Sequence, residues 1–312
     1  MITIPPYLKQ GDTIGIVCPS GFMPYEKVET CISVLQEWGY KVKVGKTVGH
    51  QYHYFSGTDI ERLADLQAML DDFEIKAILC ARGGYGLSRL IDSINFKTFI
   101  NNPKWIIGFS DITILHVHIT HRLKIATLHA PMAGAFNEGG FNNEYVLSLW
   151  KAMEGISYHY HCAPHPFNKV GRSEGELIGG NLSIIAHLIG TKSMYKNAKG
   201  KILFLEDVGE YLYNIDRLFI QLMRNGLLED LAGCIIGGFT DMKDTLIPYG
   251  EDVYSIISNH LKDYSYPVCF GFPVGHQTEN YALKVGALHQ LQVTKDEVAL
   301  LYGRRYSTEM FY

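Results

Sequence analysis

Short apolar runs alternate with longer amphipathic stretches along the first half of the chain. The runs at 13–17, 42–44, 76–81 and 105–109 are rich in β-branched, aliphatic or aromatic residues, which predicts four buried strands. Between strands, apolar residues recur at helical spacing, as they do over 24–38, a stretch that is followed by a glycine. This alternation predicts an α/β fold with a parallel sheet covered on both faces, similar to flavodoxin or the amidotransferases.

The pattern changes at about residue 157. Residues 157–173 place two prolines among aromatic residues and histidines, which predicts an extended linker between two domains. The first domain is then residues 1–156. The second, residues 174–312, mixes helical patterns with short strand-like runs, so we expect an N-terminal parallel-sheet domain and a mixed α/β C-terminal domain.

Composition and charge narrow the class of protein. The chain has 312 residues, is 47% hydrophobic and carries 28 Lys and Arg against 32 Asp and Glu, for a net charge of −4. This balance provides no broad basic surface for nucleic acid, and no apolar run approaches the ~18 residues of a membrane-spanning helix. The first six residues lack the basic and apolar regions of a secretory signal, so we expect a soluble, cytoplasmic protein without nucleic-acid or membrane partners.

The cysteines and histidines form no pattern typical of a metal site. The six cysteines contain no Cys-x-x-Cys pair, and several lie within apolar runs, which predicts buried free thiols. His118 and His121 are three residues apart, but no further ligands accompany them, so no metal site is predicted.

A serine follows the last of the four predicted strands. Ser110 lies between this strand and a predicted helix, and such a turn raises a serine hydroxyl above the edge of a sheet, close to a helix N-terminus that stabilises an oxyanion. The Gly-x-Ser-x-Gly pattern of hydrolases is incomplete because Ile112 occupies its last position. Ser110 or Asp111 could equally serve only as a helix cap.

A glycine-rich loop follows the preceding strand, at residues 82–86. Three glycines in four positions allow backbone N–H groups to turn toward an anion or oxyanion. The loop is neither a Rossmann fingerprint, because Arg89 occupies the third glycine position, nor a P-loop. A plain tight turn explains the spacing equally well.

A serine nucleophile needs a base and an acid that orients the base. Among the thirteen histidines, His276 stands out because it lies in a glycine- and proline-rich loop just after the predicted strand 267–270. Glu206 ends another apolar strand, and spacing alone does not choose between Glu206, Asp207 and Glu210 as the acid.

Several short motifs occur in a fixed order along nearly the whole chain, from Gly11 to Gly286. They are Arg-Gly-Gly-Tyr-Gly at 82–86, Gly-Phe-Ser-Asp at 108–111, Gly-Gly-Asn-Leu-Ser at 179–183, Leu-Glu-Asp-Val-Gly-Glu at 205–210 with Ile-Asp-Arg at 215–217, and Gly-His at 275–276. Together they resemble the L,D-carboxypeptidase family of serine peptidases (the S66 group), which includes muramoyl-tetrapeptide carboxypeptidase and the microcin C immunity protein.

The resemblance implies a role for each member of a catalytic triad. Ser110 would be the nucleophile, His276 the general base and Glu206 the acid that orients it. The backbone amides of Asp111 and Gly84 would form the oxyanion hole. Because these groups come from both halves of the chain, we expect the site to lie in the cleft between the two domains.

The resemblance also implies a substrate, a cytoplasmic murein tetrapeptide that loses its terminal D-alanine, with no metal or organic cofactor and a homodimeric enzyme. Candidate substrate contacts, including the cation that would bind the terminal carboxylate, are Arg82, Gly83, Tyr85, Arg89 and Arg217. Each of the three arginines could equally form a structural ion pair. Family members often have a proline just before the glycine at 286. Here Lys284 and Val285 stand there, which predicts a changed edge of the substrate pocket.

Two other functions remain open from the sequence. A peptidase of the microcin-immunity type would cleave aminoacyl-adenylate amides and would use an aromatic side chain to stack on adenine. No tryptophan follows Trp150, which leaves Tyr158 and Tyr160 as candidates for that stacking. The second alternative is a two-domain protein that binds a small molecule without chemistry.

Overall fold

The structure is a computed structural model that describes residues 1–302, so the last ten residues of the predicted second domain, 303–312, lie outside the described residues. The strands are β1 Thr13–Val17, β2 Lys41–Val44, β3 Ile75–Cys80, β4 Trp105–Gly108, β5 Thr127–His129, β6 Tyr158–Cys162, β7 Gly171–Asn181, β8 Ile202–Val208, β9 Gly233–Thr240, β10 Val268–Phe270, β11 Leu283–Val285, β12 Leu288–Val293 and β13 Val298–Tyr302. The α-helices are α1 Glu29–Glu37, α2 Asp59–Asp71, α3 Lys97–Asn101, α4 Thr113–His118, α5 Glu144–Met153, α6 Leu182–Leu188, α7 Leu212–Arg224 and α8 Val253–Leu261.

The first sheet has the order β11-β5-β4-β3-β1-β2. Strands β1 to β5 are parallel to one another, which confirms the predicted parallel sheet and the four predicted strands. Successive side chains point to opposite faces of a strand. On β3, Ala77 and Leu79 accordingly belong to the core under α1 and α5, whereas Ile78 and Cys80 belong to the core that α2 and α4 share with the second sheet.

The second sheet has the order β10-β9-β8-β7-β12-β13-β6 and is mixed, as expected for the C-terminal domain. Strands β7 to β10 are parallel, whereas β12, β13 and β6 pair antiparallel. None of the helices in residues 1–302 is both long and apolar enough to cross a membrane.

The predicted linker contributes to this second sheet. Within 157–173, strand β6 pairs with β13 and forms the edge of the sheet, so only part of the segment is an extended connection. Its Tyr158 and Tyr160 are buried while His159 and His161 are exposed, which is the period-two alternation of a half-buried strand.

The first sheet in turn contains a strand from the C-terminal half. Strand β11 pairs antiparallel with β5, with Leu283 opposite His129. The long strand β7 pairs with β12 along its first part and with β8 along its second. The two sheets are therefore joined by chain that crosses between them.

Candidate active site

Ser110 lies directly after β4 in a strained backbone conformation. Its φ of 64° is in the left-handed region, which costs a non-glycine residue on the order of 1–3 kcal/mol and recurs at functional sites. Gly108 makes the sharp turn possible, since a Cβ there would lie 2.9 Å from Ile112 Cγ1. Ile112 thus fills the space beside Gly108, although it breaks the Gly-x-Ser-x-Gly pattern.

The side chain of Asp111 forms buried hydrogen bonds to other segments of the chain and does not cap a helix. Its carboxylate is fully buried and accepts hydrogen bonds from Ser20 Oγ at 2.6 Å and from the Leu87 N–H at 2.9 Å. Burial raises the pKa of this carboxyl. Neither Ser110 nor Asp111 makes a side-chain capping bond at the start of α4, so the capping alternative is wrong.

The glycine-rich loop after β3 packs against Ser110. A Cβ on Gly83 would lie 2.8 Å from Ser110 Cβ and 3.1 Å from its Oγ, so only glycine permits this approach. Gly84 has a φ of 97°, and a Cβ on it would lie 2.7 Å from the Tyr54 hydroxyl. The loops after β3 and β4 therefore meet at the carboxyl edge of the sheet, as a parallel sheet predicts.

The predicted base and the acid predicted to orient it come from the C-terminal half. Glu206 lies on β8 with its side chain fully buried, and its Oε2 is 2.6 Å from Nδ1 of His276. Burial disfavours the charged imidazole, but the hydrogen bond and the negative charge of Glu206 outweigh it and raise the pKa of His276. Gly275 allows the close approach, because a Cβ there would lie 2.6 Å from Glu206 Cβ.

The two other acidic residues of this segment have different partners. Asp207 accepts hydrogen bonds from Asn181 Nδ2 and from the Ser183 N–H, both at 2.9 Å, and burial is the main reason that its pKa is raised to about 6. Glu210 accepts from Asn214 Nδ2 at 2.5 Å. Glu206 is therefore the carboxylate that the fold pairs with His276.

Phe109 connects the two loops that carry the predicted nucleophile and base. Its ring lies 4.8 Å from that of His276, edge to face, and it immediately precedes Ser110. Within residues 1–302, no hydrogen bond joins Ser110 Oγ to His276. In unliganded enzymes the bond between nucleophile and base is often long and tightens when substrate binds.

A cavity of about 430 Å³ opens at this point. Phe109 and His276 border it, and both halves of the chain contribute, as predicted for a site in a cleft. Its other lining residues are Met23, Ala81, Arg82, Pro131, Met132, Gly134, Ala135, Glu138, Asn143, Tyr145, Gln277, Thr278 and Asn280.

The arginines predicted as substrate contacts separate into different environments. Arg82 lines the cavity and donates a hydrogen bond to the Phe22 carbonyl at 2.6 Å. Arg89 instead forms an ion pair with Asp59. Arg217 is exposed on α7, outside the cavity lining, with its guanidinium 5.2 Å from the centre of the Tyr213 ring.

Four other side chains that the sequence assigned to the substrate site, three tyrosines and one lysine, also lie away from the cavity lining. Tyr85 is exposed and its ring lies 6.0 Å from that of Phe55. Tyr158 and Tyr160 are buried and stacked on each other at 4.2 Å, so neither is available to stack on a ligand. Lys284 is fully buried in the sheet and not at the pocket edge, which corrects the expectation for this residue.

The sequence did not single out His129, which lies beneath the site. It ends β5 opposite Gly108, and its ring lies 5.6 Å from that of Phe109. Burial lowers its pKa well below the ordinary value. The only available signal was its place at the carboxyl end of a strand next to β4.

The described residues contain no group of three or more His, Cys, Asp or Glu side chains that could hold a metal ion. Of the six cysteines, five are buried free thiols as predicted, and Cys162 is half-buried.

Comparisons with known proteins identify the class. Residues 14–130 match the LD-carboxypeptidase N-terminal domain, and residues 174–291 match the LD-carboxypeptidase C-terminal domain. A probable murein peptide carboxypeptidase of Bacillus subtilis (strain 168) is 34% identical over 288 residues, which cover 91% of this chain and 89% of the relative. The microcin C7 self-immunity protein of Escherichia coli is 26% identical over 317 residues, which cover 89% and 90%.

Comparison of the fold with solved structures identifies the same class of protein. The crystal structure of muramoyltetrapeptide carboxypeptidase from Oxalobacter formigenes matches with a TM-score of 0.85 at 27% identity, covering 94% of this chain and 99% of that one. The protein is thus a serine-type peptide-bond hydrolase. It belongs to the LD-carboxypeptidase family, as the motifs predicted.

Proposed function

We propose that this protein is an L,D-carboxypeptidase that releases the terminal D-alanine of a murein tetrapeptide through an acyl-enzyme. The observation that supports this most is the 2.6 Å contact between the buried carboxylate of Glu206 and His276, which borders the same cavity as Phe109, the residue before Ser110. The names of the relatives support the substrate, since one is named a probable murein peptide carboxypeptidase and another a muramoyltetrapeptide carboxypeptidase.

The first step is acylation. Because Nδ1 of His276 is bonded to Glu206, Nε2 is the nitrogen that accepts the Ser110 proton. Ser110 Oγ then attacks the carbonyl carbon of the last peptide bond. The amides of Asp111 and Gly84 stabilise the oxyanion, a contribution of about 3–4 kcal/mol per donor in a known serine hydrolase.

The second step restores the enzyme. The His276 imidazolium gives its proton to the D-alanine nitrogen as the C–N bond breaks, and an ester to Ser110 remains. Water, deprotonated by the same imidazole, attacks the carbonyl carbon of this ester. As the bond from that carbon to Ser110 Oγ breaks and the shortened peptide leaves as an acid, the imidazolium returns the proton to Ser110 Oγ. The buried carboxylate of Glu206 stabilises the imidazolium throughout and keeps the ring in the productive tautomer.

The aminoacyl-adenylate alternative has less support. The tyrosines that the sequence offered for adenine stacking, Tyr158 and Tyr160, are buried in the second sheet and do not line the cavity. A purely binding function is excluded by the family, whose members are hydrolases.

The test is the release of D-alanine from murein tetrapeptide by wild type, by Ser110→Ala and by the control Ser93→Ala, an exposed serine in the same half of the chain. We expect Ser110→Ala to lose turnover and labelling by a fluorophosphonate, while Ser93→Ala keeps both. Turnover by Ser110→Ala would disprove the mechanism. Cleavage of an aminoacyl sulfamoyl adenosine, with the tetrapeptide left intact, would instead favour the microcin-immunity function.

A further inference from the structure

Helix α4 begins three residues after Ser110 and is hydrogen-bonded to the C-terminal half of the chain. Three side-chain contacts join α4, together with the helical turn that follows it, to that half: Thr113 with Asn181, His118 with Ser193, and Thr120 with Tyr195. The first pair lies at the end of α4 nearest Ser110. It is therefore the contact best placed to fix the predicted nucleophile relative to the second sheet.

The contact between Thr113 and Asn181 is buried and directional. Thr113 Oγ1 accepts a hydrogen bond from the main-chain N–H of Asn181 at 3.1 Å, and both side chains are withdrawn from solvent. Such a bond contributes only about 0.5–1.5 kcal/mol to stability. Its larger consequence is geometric, because it fixes the distance between the start of α4 and the end of β7.

Gly180 allows the two segments to come this close. Its φ of 138° lies in the region that favours glycine, and a Cβ on it would lie 2.5 Å from Thr113 Oγ1 and 2.7 Å from its Cγ2. Any other residue would push α4 away from β7. The motif Gly-Gly-Asn-Leu-Ser at 179–183, to which the predicted triad gives no role, thus provides the space that Thr113 occupies.

The other side of the contact is continuous with the predicted acid. Asn181 lies opposite Glu206 in the parallel pairing of β7 with β8. Its side chain donates to Asp207 Oδ1 at 2.9 Å and accepts from the Ile184 N–H at 3.2 Å. Glu206 in turn is bonded to His276. The end of β7 is therefore held by its own hydrogen bonds on the strand pair that carries the acid and, through it, the base.

We propose that Thr113 is a positioning residue that sets the separation between Ser110 and the Glu206–His276 pair. Ser110 follows a strand of the first sheet and Glu206 lies on a strand of the second, so their separation depends on contacts between the sheets. Thr113 is outside the cavity lining and acts through Ser110. This inference rests on the proposed function, in which Ser110 is the reacting serine.

Catalysis by a serine and an imidazole depends steeply on their separation. The base accepts the serine proton within about 2.6–3.2 Å, and a misplacement of about 1 Å can cost roughly 100-fold in rate. In Thr113→Val, a methyl group replaces the hydroxyl that lies 3.1 Å from the Asn181 nitrogen. Carbon atoms pack best at about 3.5–4.0 Å, so this change removes the hydrogen bond and moves α4 away from β7 by a few tenths of an ångström.

The experiment measures the rate at which a fluorophosphonate labels Ser110, together with kcat and KM for D-alanine release. We expect Thr113→Val to be labelled about tenfold more slowly, with kcat reduced about tenfold and KM unchanged. Thr113→Ser keeps the hydroxyl and should restore both rates. Thr113→Ala, which removes the hydroxyl without adding a methyl group at the contact, should lose rate in the same direction. Labelling of Thr113→Val and Thr113→Ala at the wild-type rate would overturn the role of Thr113.

Thr47→Val is the matched control. Thr47 is also buried, and its Oγ1 also accepts a main-chain N–H, that of Cys18 at 2.9 Å, but both partners lie in the N-terminal half. This variant should lose stability in urea unfolding and keep the labelling rate. An equal loss of labelling in Thr47→Val would assign the effect to general destabilisation and overturn the inference.

The titration of His276, followed by NMR of its imidazole, shows whether the base itself is disturbed. It should be the same in wild type and Thr113→Val, because the bond from His276 to Glu206 lies within the C-terminal half. A shifted titration would mean that the substitution changes the base and not its distance from Ser110, which contradicts a positioning role.

The labelling rates separate this inference from the proposed function, because they require no murein peptide. If wild type is labelled at Ser110 but releases no D-alanine, the proposed substrate is wrong, and the ratio of labelling rates still decides the role of Thr113. If wild type releases D-alanine and Thr113→Val is labelled as fast, only the inference fails. Wild type that is not labelled at all would overturn both.

Discussion

Two basic side chains that lie close together in the sequence, His276 and Lys284, are both withdrawn from solvent, and the fold treats them in opposite ways. His276 is paired with the buried carboxylate of Glu206 at 2.6 Å, and this interaction raises its pKa despite burial. Lys284 has no carboxylate and no hydrogen-bond partner for its Nζ among the described residues, and burial lowers its pKa to about 7.

The surroundings of Lys284 explain why the fold tolerates it. Its Nζ lies 4.2 Å from the centre of the Tyr302 ring, 5.0 Å from that of Tyr158 and 5.7 Å from that of Tyr7. Aromatic faces attract a cation, which offsets part of the desolvation cost but does not replace a counter-ion. A buried base thus keeps a raised pKa only where a carboxylate lies beside it. In this molecule that base is His276, which borders the cavity.

Removing the carboxylate that is paired with His276 should have the largest effect. Glu206→Gln leaves the imidazole without its counter-ion and without a partner that selects the tautomer, and the corresponding change in a serine protease lowers kcat about 10⁴-fold. We expect a loss of about 10³- to 10⁴-fold in D-alanine release, measured as initial rates.

Glu210→Gln is the control for this change, because Glu210 lies in the same segment but binds Asn214. It should stay close to wild type. A Glu206→Gln enzyme within tenfold of wild type would show that His276 does not depend on this carboxylate.

Replacing Lys284 should change the stability of the protein and not its catalytic rate. A lysine whose folded pKa is depressed costs stability when it must be protonated, so its contribution improves as pH rises from about 7 to the unfolded value of 10.5. Lys284→Met should therefore raise the free energy of unfolding at pH 7 by about 1–4 kcal/mol. It should also remove the increase of that free energy with pH that Lys284 causes, which is at most about 1.4 kcal/mol per pH unit.

Urea unfolding of wild type, Lys284→Met and the exposed control Lys27→Met at pH 7 and pH 9 measures this difference. Activity should stay unchanged in Lys284→Met because the residue does not line the cavity. If Lys284→Met and wild type gain the same stability between pH 7 and pH 9, the pKa of Lys284 is not lowered in the folded protein, and its contrast with His276 is wrong.

A third basic side chain, Arg82, extends the comparison to an exposed group with no acidic partner. If it binds the terminal carboxylate of substrate, Arg82→Gln should raise KM about tenfold, or about 1.4 kcal/mol, with a smaller change in kcat. The effect should vanish for a peptide whose terminal carboxylate is an amide. An equal loss for both peptides would assign Arg82 to the loop structure instead.

The smallest expected effect is a shift in pH dependence. In the proposed mechanism His276 must be neutral to accept the serine proton, so kcat/KM should fall as pH decreases through its pKa. Since Glu206 raises that pKa above 6.5, the midpoint of the acidic limb should lie above pH 6.5. A midpoint well below this value would mean that burial, and not the carboxylate, dominates at His276.

Much of the first sheet could be predicted from local patterns. The runs at 13–17 and 76–81 are strands because burial on both faces of a parallel sheet requires a nearly continuous apolar run, and this requirement is visible in the residues themselves. Strand β6 was missed because the prolines that follow it indicated a linker, although its alternation of tyrosine and histidine is that of a strand.

The candidate site could be predicted only in part from the sequence. The motifs pointed to Ser110, Glu206 and His276 through a family resemblance, whereas spacing left Glu206, Asp207 and Glu210 equivalent. Consecutive side chains on a strand point in opposite directions, so a one-residue difference decides which carboxylate meets the loop that carries His276.

Local order along the chain thus specified the strands, the turns after them and the residue types available for acyl transfer, because these depend on neighbours in the sequence. The choice of Glu206, the aromatic enclosure of Lys284, the addition of β11 to the first sheet and the placement of Arg82 and Glu138 on one cavity were decided by tertiary structure. Each of them joins segments that are distant in the chain, and only packing determines which distant atoms come into contact.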